Sequence, residues 1–252
     1  MIIEDTLYIV ILMENYQMNK SITIVLCTYN EVNYIEETLY LVNKTLHNLE
    51  IIIIDDNSSD GTIEKLEKLK NSYKFKLFIR KDIKGLATAI KKGFAESSGH
   101  YLGFIDANSK DQILYFNDLI FELEKGNDIA VLSRYIHGGG DEREFIRVST
   151  SKLINYVCKL FLRINFNDFT SGIFLMKRSV LNHLNIQFSG HGEYFIELIY
   201  KASKKNYRII EVPYVQKKDK LLGKSKSNPN LFRFFYLGFM YFFRIILTLF
   251  KN

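Results

Sequence analysis

Short apolar runs that end abruptly in polar clusters recur along residues 21–133, and the stretches between them have helical spacing. The runs are residues 21–27 (SITIVLC), 50–55 (EIIIID), 76–80, 101–106 (YLGFID) and 129–133. Between them, residues 34–43, 62–70, 85–97 and 113–123 repeat apolar positions with helical period. Strands alternating with amphipathic helices require crossover connections. The prediction is therefore an α/β fold whose parallel sheet is covered on both faces. In such sheets ligands bind beyond the carboxyl ends of the strands. Three polar clusters follow those ends: Thr28-Tyr29-Asn30-Glu31, residues 55–60, and Asp106-Ala107-Asn108.

The second half is more helical, with amphipathic candidates at 146–162 and 193–205 and a strand over 208–215 ended near Pro213. Residues 1–20 contain an apolar run, 7–13, flanked by Glu4, Asp5 and Glu14. They lack the basic start and small-residue cleavage site of a signal peptide. With 47% hydrophobic and 25% charged residues, the chain has the composition of a folded globular protein. Two cysteines, Cys27 and Cys158, cannot build a disulfide framework, and no Cys/His cluster suggests structural zinc, so an intracellular protein is expected. Charge is unevenly spread. Residues 201–252 carry 12 Lys/Arg against 2 Asp/Glu, a net +10, whereas the rest of the chain is net −4. That block predicts a polyanion nearby, phosphates or an anionic membrane surface. No nucleic-acid-binding motif accompanies it, and nucleic acid is not the expected partner.

Three constellations can carry chemistry. Asp55 and Asp56 close a strand of four isoleucines, where carboxylates can accept hydrogen bonds from a base or ribose. Ser58, Ser59 and Asp60 equally suit a strand-to-helix turn, with Ser59 or Asp60 as helix cap. Asp106 and Asn108 offer oxygens two residues apart, suited to Mg²⁺ or Mn²⁺ shared with a diphosphate. Arg134 and Arg147, either side of Gly138-Gly139-Gly140, offer planar forks suited to phosphate. Residues 168–172 are expected as a polar loop beside the site.

The order TYNE (28–31), DDNSSDGT (55–62), KGLATAIKKGF (84–94), FIDAN (104–108), SRY…GG (133–139), DFTSGIF (168–174) and LLGKSKS (221–227) resembles family 2 glycosyltransferases. Within them it is similar to the dolichyl-phosphate mannosyltransferases and their bacterial polyprenyl-phosphate glucosyltransferase relatives. The resemblance implies a Rossmann-like GT-A fold, an inverting transfer, and a nucleotide-sugar donor such as GDP-mannose or UDP-glucose. By position it implies that Thr28, Tyr29, Glu31, Asp55, Asp56, Ser58 and Gly85 surround the nucleotide sugar. Asp106 and Asn108 would hold the metal. Arg134 and Arg147 would hold the phosphate of a polyprenyl acceptor, and Lys220, Lys224 and Ser225 would lie in a loop closing over the diphosphate. Three of the family's residues differ here: the second acid of its Asp-x-Asp motif is Asn108, the Gln two positions later is Lys110, and the Arg three residues before the loop Gly is Lys220. Either the metal is held more weakly or Lys110 partly replaces it against the diphosphate.

A phosphate acceptor is already ionised at neutral pH and needs no strong general base. Transfer to a glycan or glycolipid hydroxyl is the alternative, with Glu193 and Glu197 as candidate bases. A nucleotide-sugar-binding homologue with impaired catalysis is a further one. The expected organisation is an extension (1–20), a catalytic domain (21–227) and a C-terminal helix (228–252). At 100° per residue Arg233, Arg244 and Lys251 fall within about 20° of one line on an otherwise apolar helix. That pattern predicts a helix lying in the headgroup plane, which would keep the enzyme on the cytoplasmic face of the cell membrane; a helix packed on the protein's own core and a spanning or oligomeric helix are the alternatives.

Overall fold

The computed structural model describes residues 20–108, 110–190, 192–218, 243–247 and 249. The expected rhythm is present through the first half: β1 (Ile22–Thr28), α1 (Ile35–Thr45), β2 (Leu49–Asp55), α2 (Thr62–Leu69), β3 (Lys76–Ile79), α3 (Leu86–Ala95) and β4 (Tyr101–Asp106). Strand period explains the layers. Ile22, Ile24 and Leu26 of β1 pack with α1, and Val25, on the opposite face, packs with α3. Gly93 of α3 permits that closeness, since a Cβ there would stand 2.3 Å from a methyl of Val25.

Beyond β4 come α4 (Lys110–Ile113), α5 (Phe116–Glu124), β5 (Ile129–Ser133), β6 (Gly140–Asp141), α6 (Phe145–Leu162), β7 (Phe174–Lys177), α7 (Arg178–His183), α8 (Tyr194–Lys204), β8 (Ile209–Pro213) and β9 (Val215–Gln216). The single helix expected over 113–123 is two. The Tyr115 N–H donates to Gln112 O at 3.1 Å, and the turn lets both Ile113 and Phe116 be fully buried.

The seven-stranded sheet runs β3-β2-β1-β4-β7-β5-β8. It is mixed, not parallel as expected, because β7 pairs antiparallel with both β4 and β5. Its four residues, without alternation and directly followed by α7, carry no strand signature of their own. The strand order reverses between β1 and β4, which puts Thr28 and Asp106 at the crevice where such sheets bind ligands.

Helix α6 is built inside out. The side it buries consists of Ser151, Asn155, Cys158 and Leu162, mostly small or polar. Its outward side carries Phe145, Ile146, Leu153, Tyr156 and Leu160, between 58% and 83% exposed. The C-terminal segment requires a correction. Residues 243–247 are helical, and Ile245 is buried in the core. Arg244 does not sit on a solvent-facing polar stripe: it is buried, bonds Glu197 at 2.8 Å and donates to Ser189 Oγ at 2.9 Å. A carboxylate as buried as Glu197 needs a counter-charge, and Arg244 supplies it together with Lys201. Arg233 and Lys251 lie outside the described residues.

Candidate functional site

The loops after β1 and β2 are laced into one unit. The Asn30 N–H donates to Ser58 Oγ at 2.9 Å, the Glu31 N–H to Thr62 Oγ1 at 2.8 Å, and the Ser59 N–H to Asn30 Oδ1 at 2.9 Å. Asp60 accepts the Thr62 N–H at 3.0 Å at the start of α2, but the N-cap position is Gly61, not Ser59 or Asp60 as expected. Asp55 is fully buried beneath this unit. Its Oδ2 accepts from Thr28 Oγ1 (2.7 Å) and Ser58 Oγ (2.6 Å), and its Oδ1 from the Ser58 N–H (2.8 Å). Thr28, Asp55 and Ser58, expected around the nucleotide, thus form one hydrogen-bonded set that holds the loops in shape at the strand ends.

Asp56 does a related job at the next loop. Both its Oδ1 bonds come from Arg80, with Nε at 2.7 Å, and its Oδ2 accepts the Gly85 N–H at 2.7 Å. Gly85 has φ +129°, a backbone that side chains rarely adopt, and its carbonyl takes a further Arg80 bond at 3.0 Å. This clamp sets the approach of Lys84, whose Nζ stands 4.9 Å over the Tyr29 ring. Tyr29, 45% exposed, is the accessible aromatic of the β1 loop.

Asp106 ends β4 on the exposed side and lines a cavity of about 200 Å³. The opposite wall is basic, formed by Arg134, Arg143 and Arg147. Tyr194 at the start of α8 and Gln112 of α4 also line it. A larger hollow, about 350 Å³, lies on α1 and α2 among Glu36, Glu37 and Lys65, away from the strand ends. Cys27, beside Asp106 and Asp56, has its thiol pushed up by burial first and by those carboxylates second, so it stays protonated.

As to a divalent ion, Asp106 and Asn108 are both exposed at the crevice. Among the described residues no group of three His, Cys, Asp or Glu could hold a metal unaided. The pair fits Mg²⁺ or Mn²⁺ only when a diphosphate completes the shell, which is how Mg²⁺ commonly binds. Lys110, weighed from the sequence as a substitute cation, is paired with Glu37 in this structure. Its Nζ bonds both oxygens of Glu37, at 2.8 and 2.9 Å, on the exposed surface.

Arg134 also departs from expectation. Its side chain is 3% exposed. Nε and Nη2 bind Asp168 at 2.8 and 2.7 Å, and Nη2 also reaches Thr170 Oγ1 at 2.8 Å. Burial opposes its charge, but the Asp168 hydrogen bonds and charge outweigh that and hold the guanidinium ionised. Arg134 is thus anchored in the cavity wall by Asp168, with its Nη1 3.6 Å from Asp141. Asp168 is held in turn by Glu211, which accepts the Asp168 and Asn167 N–H groups at 3.1 and 2.9 Å and the Ser133 hydroxyl at 2.7 Å. Gly139 permits the tight loop above: a Cβ there would be 2.7 Å from Ser133 O.

Sequence reasoning missed Asp141, Arg143, Glu211 and Gln112; the dense charges directly after the triple glycine were the available signal for the first two. Lys220, Lys224 and Ser225 lie outside the described residues. Glu197, weighed as a base, is taken up by Lys201 and Arg244, each at 2.8 Å.

Residues 23–184 match the family described as Glycosyl transferase family 2. A dolichol-phosphate mannosyltransferase of Pyrococcus furiosus is 31% identical over 214 residues, covering 81% of this chain and 60% of that protein. A cholesterol galactosyltransferase of Borreliella burgdorferi is 30% identical over 125 residues, 49% of this chain and 35% of that protein. The chain thus spans well under two thirds of the length of these relatives. Among solved structures, the glucosyl-3-phosphoglycerate synthase of Mycobacterium tuberculosis with Mn²⁺, UDP and phosphoglyceric acid has a TM-score of 0.71 at 16% identity, covering 94% of this chain and 81% of that one. The shared architecture is the GT-A fold.

Proposed function

The chain belongs to glycosyl transferase family 2, and from that premise we propose that it moves a hexose from a nucleoside-diphosphate sugar to a polyprenyl phosphate at a membrane surface. The observation that carries the acceptor half is α6. At its N-terminal end Arg147 lines the cavity opposite Asp106, and along its outward side runs an apolar stripe from Phe145 to Leu160. Most helices bury such a stripe. A phosphate in the basic cavity with its hydrocarbon tail along α6 accounts for both features, and an exposed apolar patch of this kind marks a membrane or ligand contact. The Pyrococcus relative is named for transfer to dolichol phosphate, which supports the same class. No described helix is long and apolar enough to cross a membrane. The membrane contact of this reading is made by the outward side of α6, at the cytoplasmic face. The catalytic domain of the reading is residues 21–227.

The chemistry asked of the protein is alignment and charge neutralisation. The acceptor oxygen arrives ionised and attacks the anomeric carbon from the face opposite the diphosphate, which inverts the centre. The loops after β1, β2 and β3 hold the nucleotide, with Tyr29 and the Asp56–Arg80–Gly85 clamp fixing its approach. Asp106 and Asn108 would hold a divalent ion, which when bound neutralises charge on the departing diphosphate. Arg147 steadies the incoming phosphate. A hydroxyl acceptor would need a base; of the two candidates, Glu197 is engaged in two ion pairs, and Glu193 is buried and accepts the Gly192 N–H at 3.0 Å.

The test offers a panel of GDP- and UDP-sugars with a polyprenyl phosphate in detergent micelles and Mg²⁺ or Mn²⁺. The expected result is one labelled sugar partitioning into organic solvent, in a product labile to mild acid. Label found only in aqueous glycan or phosphoglycerate products would overturn the acceptor.

A further inference from the structure

Beside Arg134, anchored by Asp168, the basic wall has another guanidinium. We propose that Arg143 is a phosphate-binding residue of the acceptor site, acting beside Arg147, with Asp141 as the carboxylate that positions it. Arg143 stands just before α6 and lines the cavity with Arg147. Its Nε and Nη2 bind the two oxygens of Asp141 at 2.8 and 2.6 Å, and Nη2 also reaches Ser151 Oγ at 3.1 Å. Nη1 donates to no group among the described residues. Unlike the 3% exposed Arg134, the Arg143 side chain keeps 15% exposure.

Asp141 is a rigid support. Its side chain is 2% exposed, it accepts the Tyr135 hydroxyl at 2.8 Å, and its backbone is pinned by the β6–β9 pairing. A guanidinium held by two parallel bonds loses little further freedom when a ligand arrives, and its remaining edge matches a phosphate. A carboxylate that aims an arginine also leaves it cationic, so the pair orients without cancelling the fork. The chemistry recognised is a phosphate monoester. The inference rests on the polyprenyl phosphate reading and names one of its ligands; a soluble phosphomonoester would offer the same group.

The experiment measures initial rates of the full chain in detergent. Donor and farnesyl phosphate are varied separately for the wild type, Arg143→Ala and Arg143→Lys, with glycerol phosphate as competitor. Arg143→Ala should raise the KM for farnesyl phosphate by about 10- to 100-fold, the range for losing charge-assisted bonds to a phosphate, and leave the donor KM unchanged. Arg143→Lys keeps a cation on Asp141 without the fork. It should shift the same constant in the same direction by less, and it carries the test if the alanine variant fails to fold. Wild-type inhibition by glycerol phosphate that disappears in Arg143→Ala supports recognition of the phosphate itself. A loss confined to farnesyl phosphate supports recognition of the lipid-borne group. An unchanged acceptor KM in both variants, or an equal rise in the donor KM, overturns the proposal while wild-type transfer leaves the acceptor reading standing. Absence of wild-type transfer to farnesyl phosphate, with transfer to a different acceptor, overturns both.

Discussion

At the carboxyl ends of β1 and β2 the polar side chains bond within two adjacent loops, whereas beyond β5 they reach across the fold. Thr28, Asp55 and Ser58 satisfy one another, Asp60 accepts from Thr62, and Asp56 finds Arg80 and Gly85 in the next connection. On the acceptor side Arg134 depends on Asp168, Asp168 on Glu211 from β8, and Gln112 on Gln216 at 3.0 Å. The first region is a set of neutral and charge-assisted loop bonds under a parallel sheet. The second is a chain of buried ions around an antiparallel insertion. A lost loop bond costs about 1 kcal/mol, but an ion stripped of its buried partner costs about 3–5 kcal/mol. The two regions therefore fail differently, one in chemistry and the other in folding.

The largest contrast comes from Asp106→Ala. It removes the exposed carboxylate of the crevice, and transfer should fall by about a thousandfold or more, with the melting temperature nearly unchanged. Undiminished turnover would break the assignment of this region to the donor diphosphate. Asp168→Ala is its counterpart across the cavity. Leaving Arg134 buried without its partner should cost about 3–5 kcal/mol, read as a drop in denaturation midpoint. A variant as stable as the wild type would mean that the acceptor side is not held by its ion chain.

A subtler break uses the outward side of α6. Leu153→Glu with Leu160→Glu should change stability by about 0.5 kcal/mol or less, because both side chains already face outward. Binding to vesicles and transfer to long-chain acceptors should nevertheless drop, while a short prenyl phosphate in detergent is still used. Equal vesicle binding by variant and wild type would remove the membrane from the comparison. The smallest effect concerns acid. Burial pushes the Asp141 carboxyl up, but Arg143 outweighs it and holds the group at about 2, below the roughly 3.9 of an unfolded chain. A depressed carboxylate contributes stability that is complete above the unfolded value and is lost as pH falls through the folded one. Stability conferred by this pair should hold down to about pH 4 and decline between about 4 and 2. Asp141→Asn should flatten that part of the pH–stability curve, and an identical curve would show that Asp141 is not the titrating group.

Those contrasts follow how far apart the interacting residues stand in the chain. Every strand from β1 to β5 was legible, because four isoleucines or YLGFID can hardly be anything but buried strand in so regular an alternation. Asp106 at a strand end and Asp60 beside a helix start were legible because strand ends and helix starts are themselves set by local pattern. The mutual bonding of Asp55, Thr28 and Ser58 was not legible, because composition cannot say which way a carboxylate turns. Arg134 and Arg244 were read as ligand or lipid contacts since an arginine in a sequence looks solvated until a buried carboxylate is seen facing it.

The sequence by itself determined the layered α/β architecture, the order of the strand-end clusters and the membership they share with other glycosyltransferases. Apolar period and local turn chemistry act over a few residues, and that is the range a linear pattern records. Only the tertiary structure decided that β7 enters antiparallel, that α6 turns its apolar side outward, and which arginines are paired and which line the cavity with an edge to spare. Those outcomes depend on desolvating a charge against a partner 34 residues away in the chain for Arg134 and Asp168, and 47 away for Arg244 and Glu197. Burial, and with it the strength of every such pair, exists only once the chain has closed.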